Sequence, residues 1–141
     1  MGLLLGCLAA HHLAAMAVPS PWGVPDLTVI GLVLAIVKQP QRWLSLSAIA
    51  GIFMMAWAIR FPVPVFLGAV GYGWLAWRTT RQWDLTDRRV VGAVVGITSA
   101  LSTFGLLWLH ELWSPPLVGL AALRVAVTTL CVPAVRLLAK V

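Results

Sequence analysis

The sequence predicts an all-α, polytopic membrane protein: one integral membrane domain over residues 1–141, folded as a bundle of about six transmembrane helices. Three observations predict it. Only 10% of the residues are charged and 61% are hydrophobic, whereas a soluble domain carries roughly 25% charged residues; polar surface is too scarce to cover a globular body in water. The apolar residues fall into six blocks, 2–18, 24–37, 43–59, 61–77, 90–109 and 117–135, most of them lacking the polar face of an amphipathic surface helix. Basic side chains and tryptophans, finally, sort to alternating ends of these blocks.

The first block predicts a helix over 2–18. It contains His11 and His12, which as neighbours point about 100° apart and cannot share a metal the way an i, i+4 pair does. The second block, in "PDLTVIGLVLAIVKQPQR", predicts a helix over 24–37. It is short: from Trp22 to Lys38 a helix rises only about 24 Å, which local thinning of the bilayer or packing among neighbours accommodates. A re-entrant segment is the rival reading and would put the N-terminus outside. The third helix is expected over 43–59 and the fourth over 62–77, its start disturbed by Pro62 and Pro64. The fifth is expected over 90–109. The last runs over 117–138, with Pro133 kinking it or ending its ordered part.

Lys and Arg favour the cytoplasmic side of short loops. With Lys38 and Arg42 inside, successive crossings leave Arg78, Arg81, Arg88 and Arg89 inside, and Arg136 and Lys140 inside as well. Both termini are then cytoplasmic. Tryptophans prefer the interface: Trp22, Trp57, Trp108 and Trp113 fall at outer block ends, and Trp43, Trp74, Trp77 and Trp83 at inner ones. The net charge of +6 does not indicate nucleic acid, because the basic residues sit in short loops and not along one helix face. The tightest cluster, "RTTRQWDLTDRR" at 78–89, reads as a cytoplasmic basic loop that contacts membrane lipid.

Reactive constellations are scarce. Cys7 and Cys131 lie in separate apolar blocks without metal-ligand spacing, and "LLGC" at 4–7 is a chance likeness to a lipoprotein signal. "HELW" at 110–113 lacks the second histidine of a zinc motif. The carboxylates Asp26, Asp84, Asp87 and Glu111 are spread over both faces, so no intramembrane acidic pair is available for proton relay. Neither an enzyme, nor a cofactor, nor a metal site is expected. Two cations escape the inner loops. Arg124 lies well inside the last helix, where a charge is costly; it either binds a ligand or partner, or pairs with Glu111 or Asp26 near the outer surface by snorkelling. Arg60 sits at the external end of the third helix and anchors it or binds a partner. Small residues recur at four-residue spacing in Ala10/Ala14, Ala69/Gly73, Gly92/Gly96 and Ala122/Ala126, serving intramolecular contacts or a partner's helix.

The run "PDLTVIGLVLAIVKQPQR" resembles the second helix of MreD, the rod shape-determining membrane protein family of bacteria, with Pro25, Asp26, Pro40 and Arg42 at its landmark places. "AIAGIFMMAW" at 48–57 resembles the glycine-rich third helix, although Met54 and Met55 stand where relatives often carry an acidic residue. "PVPVFLGAVGYGWLAW" at 62–77 and "LRVAVTTLCVPAVRLLAK" at 123–140 resemble the fourth and last helices. The resemblance implies a non-catalytic scaffold of the cell-elongation (peptidoglycan synthesis) machinery in the cytoplasmic membrane. Its implied partner is the single-span protein MreC, and through it MreB and RodA with its transpeptidase. The basic residues 78–89 would hold it to anionic lipid at ~1 kcal/mol per charge. The alternative is the substrate-binding subunit of an energy-coupling-factor vitamin transporter, in which "AHHLA" at 10–14 would meet the partner and Arg124, Arg60 and Glu111 would line an external pocket.

Overall fold

The computed structural model describes residues 1–17, 24–58, 60–83 and 87–139. Side chains of Trp57, Arg88 and Ala139 lie outside that description, as do Trp22, Asp84 and Lys140 altogether. The described residues form six α-helices and no strand: α1 (Gly2–Ala17), α2 (Leu27–Lys38), α3 (Trp43–Trp57), α4 (Pro62–Gln82), α5 (Arg88–Leu109) and α6 (Pro115–Ala139). A single 3₁₀ turn, Pro40–Arg42, joins α2 to α3. Two of the helices, α5 from Arg89 and α6 to Leu138, are long and apolar enough to cross a membrane; α1 and α2 are shorter apolar helices.

The helix ends follow local chemistry. Asp26 caps α2, its Oδ1 accepting the Val29 N–H at 3.2 Å, and Asp87 caps α5 by accepting the Arg89 N–H at 2.8 Å. Each cap satisfies one of the amides a helix start leaves unpaired. Pro62 and Pro64 do not disturb α4: both stand in its first turn, where a missing N–H costs nothing. Nor does Pro133 end α6, which continues to Ala139. α4 runs past the expected end at Trp77 to Gln82, so Arg78 and Arg81 are helical, and Arg88 and Arg89 open α5. α5 closes with Glu111 in the left-handed region at φ 56°. The Glu111 and Leu112 amides donate to the Trp108 and Leu107 carbonyls at 3.2 and 3.0 Å, a Schellman closure with glutamate at the position glycine usually takes.

Three antiparallel hairpins, α1–α2, α3–α4 and α5–α6, make up the bundle. Each is drawn together at a small residue. A Cβ on Gly31 would stand 2.5 Å from Cys7 Cβ, one on Gly51 2.8 Å from the Phe66 ring, and one on Gly96 3.0 Å from Thr129 Oγ1. A Cβ on Gly73 would overlap the Ser47 hydroxyl. Of the four small-residue pairs, Ala69/Gly73 is buried within the bundle and Gly96 meets α6, while Ala122 and Ala126 lie exposed on α6.

The shortest helix is the innermost. α2 touches all five others, and every residue from Thr28 to Ile36 is buried. Leu4, Leu8, Leu46, Ala76, Val91, Val95 and Val132 close around it from α1, α3, α4, α5 and α6. Hydroxyls on the helices are mostly satisfied by their own backbone: Ser47, Thr79, Thr98, Thr128 and Thr129 each donate to the carbonyl four residues earlier, at 2.6–2.9 Å.

Candidate functional site

Among the described residues, most cations are sorted to one end. The stacking of Trp43 on Trp77, with centroids 5.4 Å apart, brings the α2–α3 junction beside the end of α4. Arg89 and Trp83 line one groove, which adds the start of α5, and the antiparallel register through Gly96 and Thr129 puts Arg136 level with Arg89. Lys38, Arg42, Arg78, Arg81, Arg89 and Arg136 therefore share one end. Two of these lie over indoles, Arg78 over Trp74 at 5.5 Å and Arg81 over Trp77 at 4.7 Å, contacts that hold a guanidinium at an aromatic-lined rim. The opposite end carries Arg60, Glu111 and the exposed Trp108 and Trp113, with Phe61 against His110 at 5.3 Å.

A second charged group lies inside. Asp26 and Arg124 form an ion pair at 3.7 Å between Oδ2 and Nη2, with side-chain exposures of 5% and 11%. Asp26 also donates its N–H to Thr128 Oγ1 at 2.8 Å, and that hydroxyl donates to the Arg124 carbonyl at 2.7 Å. One residue beyond, the Pro25 carbonyl accepts from His11 Nδ1 at 3.3 Å. α1, α2 and α6 are thus tied at one level by groups that would otherwise be stranded in an apolar interior. Arg124 and Thr128 lie nine and thirteen residues from the start of α6 and at least eleven from its end. At ~1.5 Å per residue the contact stands roughly 14–20 Å from one end of α6 and 16–22 Å from the other.

That depth corrects the expectation of a pair near the outer surface: Asp26 is the partner of Arg124, but Arg124 does not snorkel outward to reach it. The physical reason is the length of α2. A 12-residue helix is about 18 Å long. Its far end reaches the basic rim at Lys38, so its capped start stops halfway along α6.

The other sequence candidates do not converge on this cluster. Arg60 is exposed, its guanidinium 5.3 Å from the Phe61 ring, and Glu111 is exposed at the α5–α6 turn. His11 and His12 face different neighbours, Pro25 and Phe53 respectively. Sequence reasoning missed the interior hydroxyls of α5. Thr98, Ser99, Ser102 and Thr103 are all buried, and among the described residues the Ser99 and Thr103 hydroxyls and Arg124 Nε have no hydrogen-bond partner. Gly96, Ser99 and Thr103 follow helical spacing on the face that meets α6. The ion pair joins α6 to α2.

Among the described residues, little else covers the outer surface of α6. Gly119, Ala122 and Ala126 form an exposed shallow track, flanked by Leu123, Leu130 and Leu137 at 55%, 77% and 74% exposure. Comparison with protein-family models, curated proteins and solved structures returns no match.

Proposed function

We propose that this chain is a non-catalytic, MreD-like scaffold of the bacterial cell-elongation machinery, a bundle of six membrane segments with both termini inside. It docks the single membrane helix of an MreC-like partner, whose periplasmic domain reaches the cell-wall synthases, and is linked indirectly to MreB and to RodA with its transpeptidase. The carrying observation is α6: the longest helix of the bundle keeps an uncovered apolar face with a small-residue track, the surface on which helix backbones approach closely in a bilayer.

The sorting of charge supports the orientation. Six described cations rim one end, where the positive-inside preference puts the cytoplasm, and they lie among indoles suited to the interface. Six membrane segments are compatible with short helices, α2 covering only the half of the bundle next to the basic rim. α2 is enclosed by its neighbours and never meets lipid, while α1 and α3, at 16 and 15 residues, fall below the usual ~20 and fit a locally thinned bilayer.

The test is co-expression with an MreC-like single-span protein. Wild-type protein is expected to retain that partner through detergent purification, and Ala122→Leu/Ala126→Leu to lose it without a change in melting temperature. Retention indifferent to the α6 face, or recovery of an ATPase module in its place, would overturn the reading. A cysteine at Trp83 is expected to react with an impermeant reagent only from the cytoplasmic side. The vitamin-transporter alternative requires Arg124, Arg60 and Glu111 around one pocket; the first turns inward onto Asp26 and the other two stay at an exposed end, so no observation favours it.

A further inference from the structure

Between the end of α4 and the start of α5 lies a cavity of about 410 Å³. Its walls are Leu75 from α4 and Val90, Val94 and Ile97 from α5, with Ala93 exposed along its length. From Arg89 to Ile97 the groove follows eight residues of α5, about 12 Å of rise, against roughly 15 Å for one leaflet of a ~30 Å hydrocarbon core. The polar members stand at one end only. Thr79 has spent its hydroxyl on the Leu75 carbonyl at 2.7 Å. Trp83 is 62% exposed beside the mouth. Arg89 is exposed there, and among the described residues its guanidinium makes no ion pair. Arg78 and Arg81, on the same end of α4, are by contrast stacked on indoles.

An elongated apolar slot with an uncommitted cation and an indole at its rim is complementary to one kind of molecule: a long hydrocarbon chain ending in an anion. We infer that this groove is a specific site for an anionic glycerophospholipid of the cytoplasmic leaflet, with an acyl chain between α4 and α5 and the headgroup phosphate on Arg89. The inference rests on the membrane-spanning, basic-end-inside reading above and adds to it a defined lipid position, distinct from diffuse attraction of the basic rim. Guanidinium suits this role because its planar fork binds phosphate at two oxygens, and Trp83 suits the glycerol level of the interface.

The test uses the full chain in detergent, titrated with phosphatidylglycerol or with phosphatidylcholine of the same acyl composition. Bound lipid is counted by native mass spectrometry and melting temperature is followed in parallel. Phosphatidylglycerol is expected to remain bound at one copy and to raise the melting temperature by several degrees, with phosphatidylcholine at least tenfold weaker. Arg89→Gln should remove the headgroup preference while leaving chain binding. Ala93→Phe fills the groove from an exposed position and should abolish retention of both lipids. Arg60→Gln, at the opposite end, should change nothing. Equal retention of the two lipids by wild type, or full retention by Ala93→Phe, would overturn the site. Extraction of the chain from native membranes by alkaline carbonate separates the two levels of inference. Release would remove the membrane reading along with the site, whereas an integral protein without lipid preference loses the site alone.

Discussion

α2 and α6 are both apolar helices, each bringing one charge, Asp26 and Arg124, to the same level, and the fold treats them in opposite ways. α2, at 12 residues, is buried from Thr28 to Ile36 and touches every other helix. α6, at 25 residues, leans chiefly on α5 and leaves Leu123, Leu130 and Leu137 uncovered. Apolar composition therefore does not rank burial in this chain. α2 needs no lipid, because five helices enclose it. α6 has the length to meet lipid or a partner by itself, and is fastened to the centre by one ion pair and one threonine.

Breaking that fastening gives the largest expected effect. Arg124→Ala leaves the Asp26 carboxylate buried without its cation and is expected to destabilise by ~3–5 kcal/mol, the usual cost of a half-removed buried pair. Arg124→Met combined with Asp26→Asn keeps the cap and removes both charges, so it should recover most of the loss. Unfolding in mixed micelles with increasing SDS measures both; equal loss in single and double variants would mean the pair is not what joins α6 to α2. Gly73→Val, which forces a side chain into Ser47 beside α2, is expected to cost ~1–3 kcal/mol through overpacking. Its unfolding midpoint should fall well below that of Gly92→Val, since nothing stands within 4 Å of a Cβ on Gly92. Thr128→Val removes the acceptor of the Asp26 N–H and should cost ~1–3 kcal/mol, with faster amide exchange at Asp26 as a direct sign. Leu130→Ala, on the bare side of α6, is expected to stay within ~0.5 kcal/mol. A large loss there, in the absence of partner, would show that α6 is covered by a second copy.

Six helices and their order could be read from the spacing of apolar blocks, because loops and charges interrupt the sequence wherever the chain turns. The same blocks did not reveal which helix sits in the middle. That depends on how three hairpins close on one another, and "LTVIGLVLAIVK" is no more apolar than "WLSLSAIAGIFMM". Asp26 was recognisable as a partner for Arg124, since both are charges beside apolar runs. Its depth was not, because depth follows from which end of the short helix is anchored at the rim. Ala69/Gly73 and Ala122/Ala126 show the same limit: identical spacing, one pair buried and one exposed, because spacing marks the face and not what lies opposite. The unsatisfied Ser99 and Thr103 gave no signal, since a hydroxyl in an apolar helix is ordinarily satisfied by its own carbonyl. The α4–α5 groove was invisible for a similar reason: Leu75 and Ile97 come together only in space.

The link between Asp26 and Thr128 crosses 102 residues, and this orders events during synthesis. At about 5–20 residues per second, roughly 5–20 s pass between the emergence of the second segment from the ribosome and that of its anchoring residues. The contacts that tie its capped aspartate to Arg124 and Thr128 therefore form only after the last helix has been made.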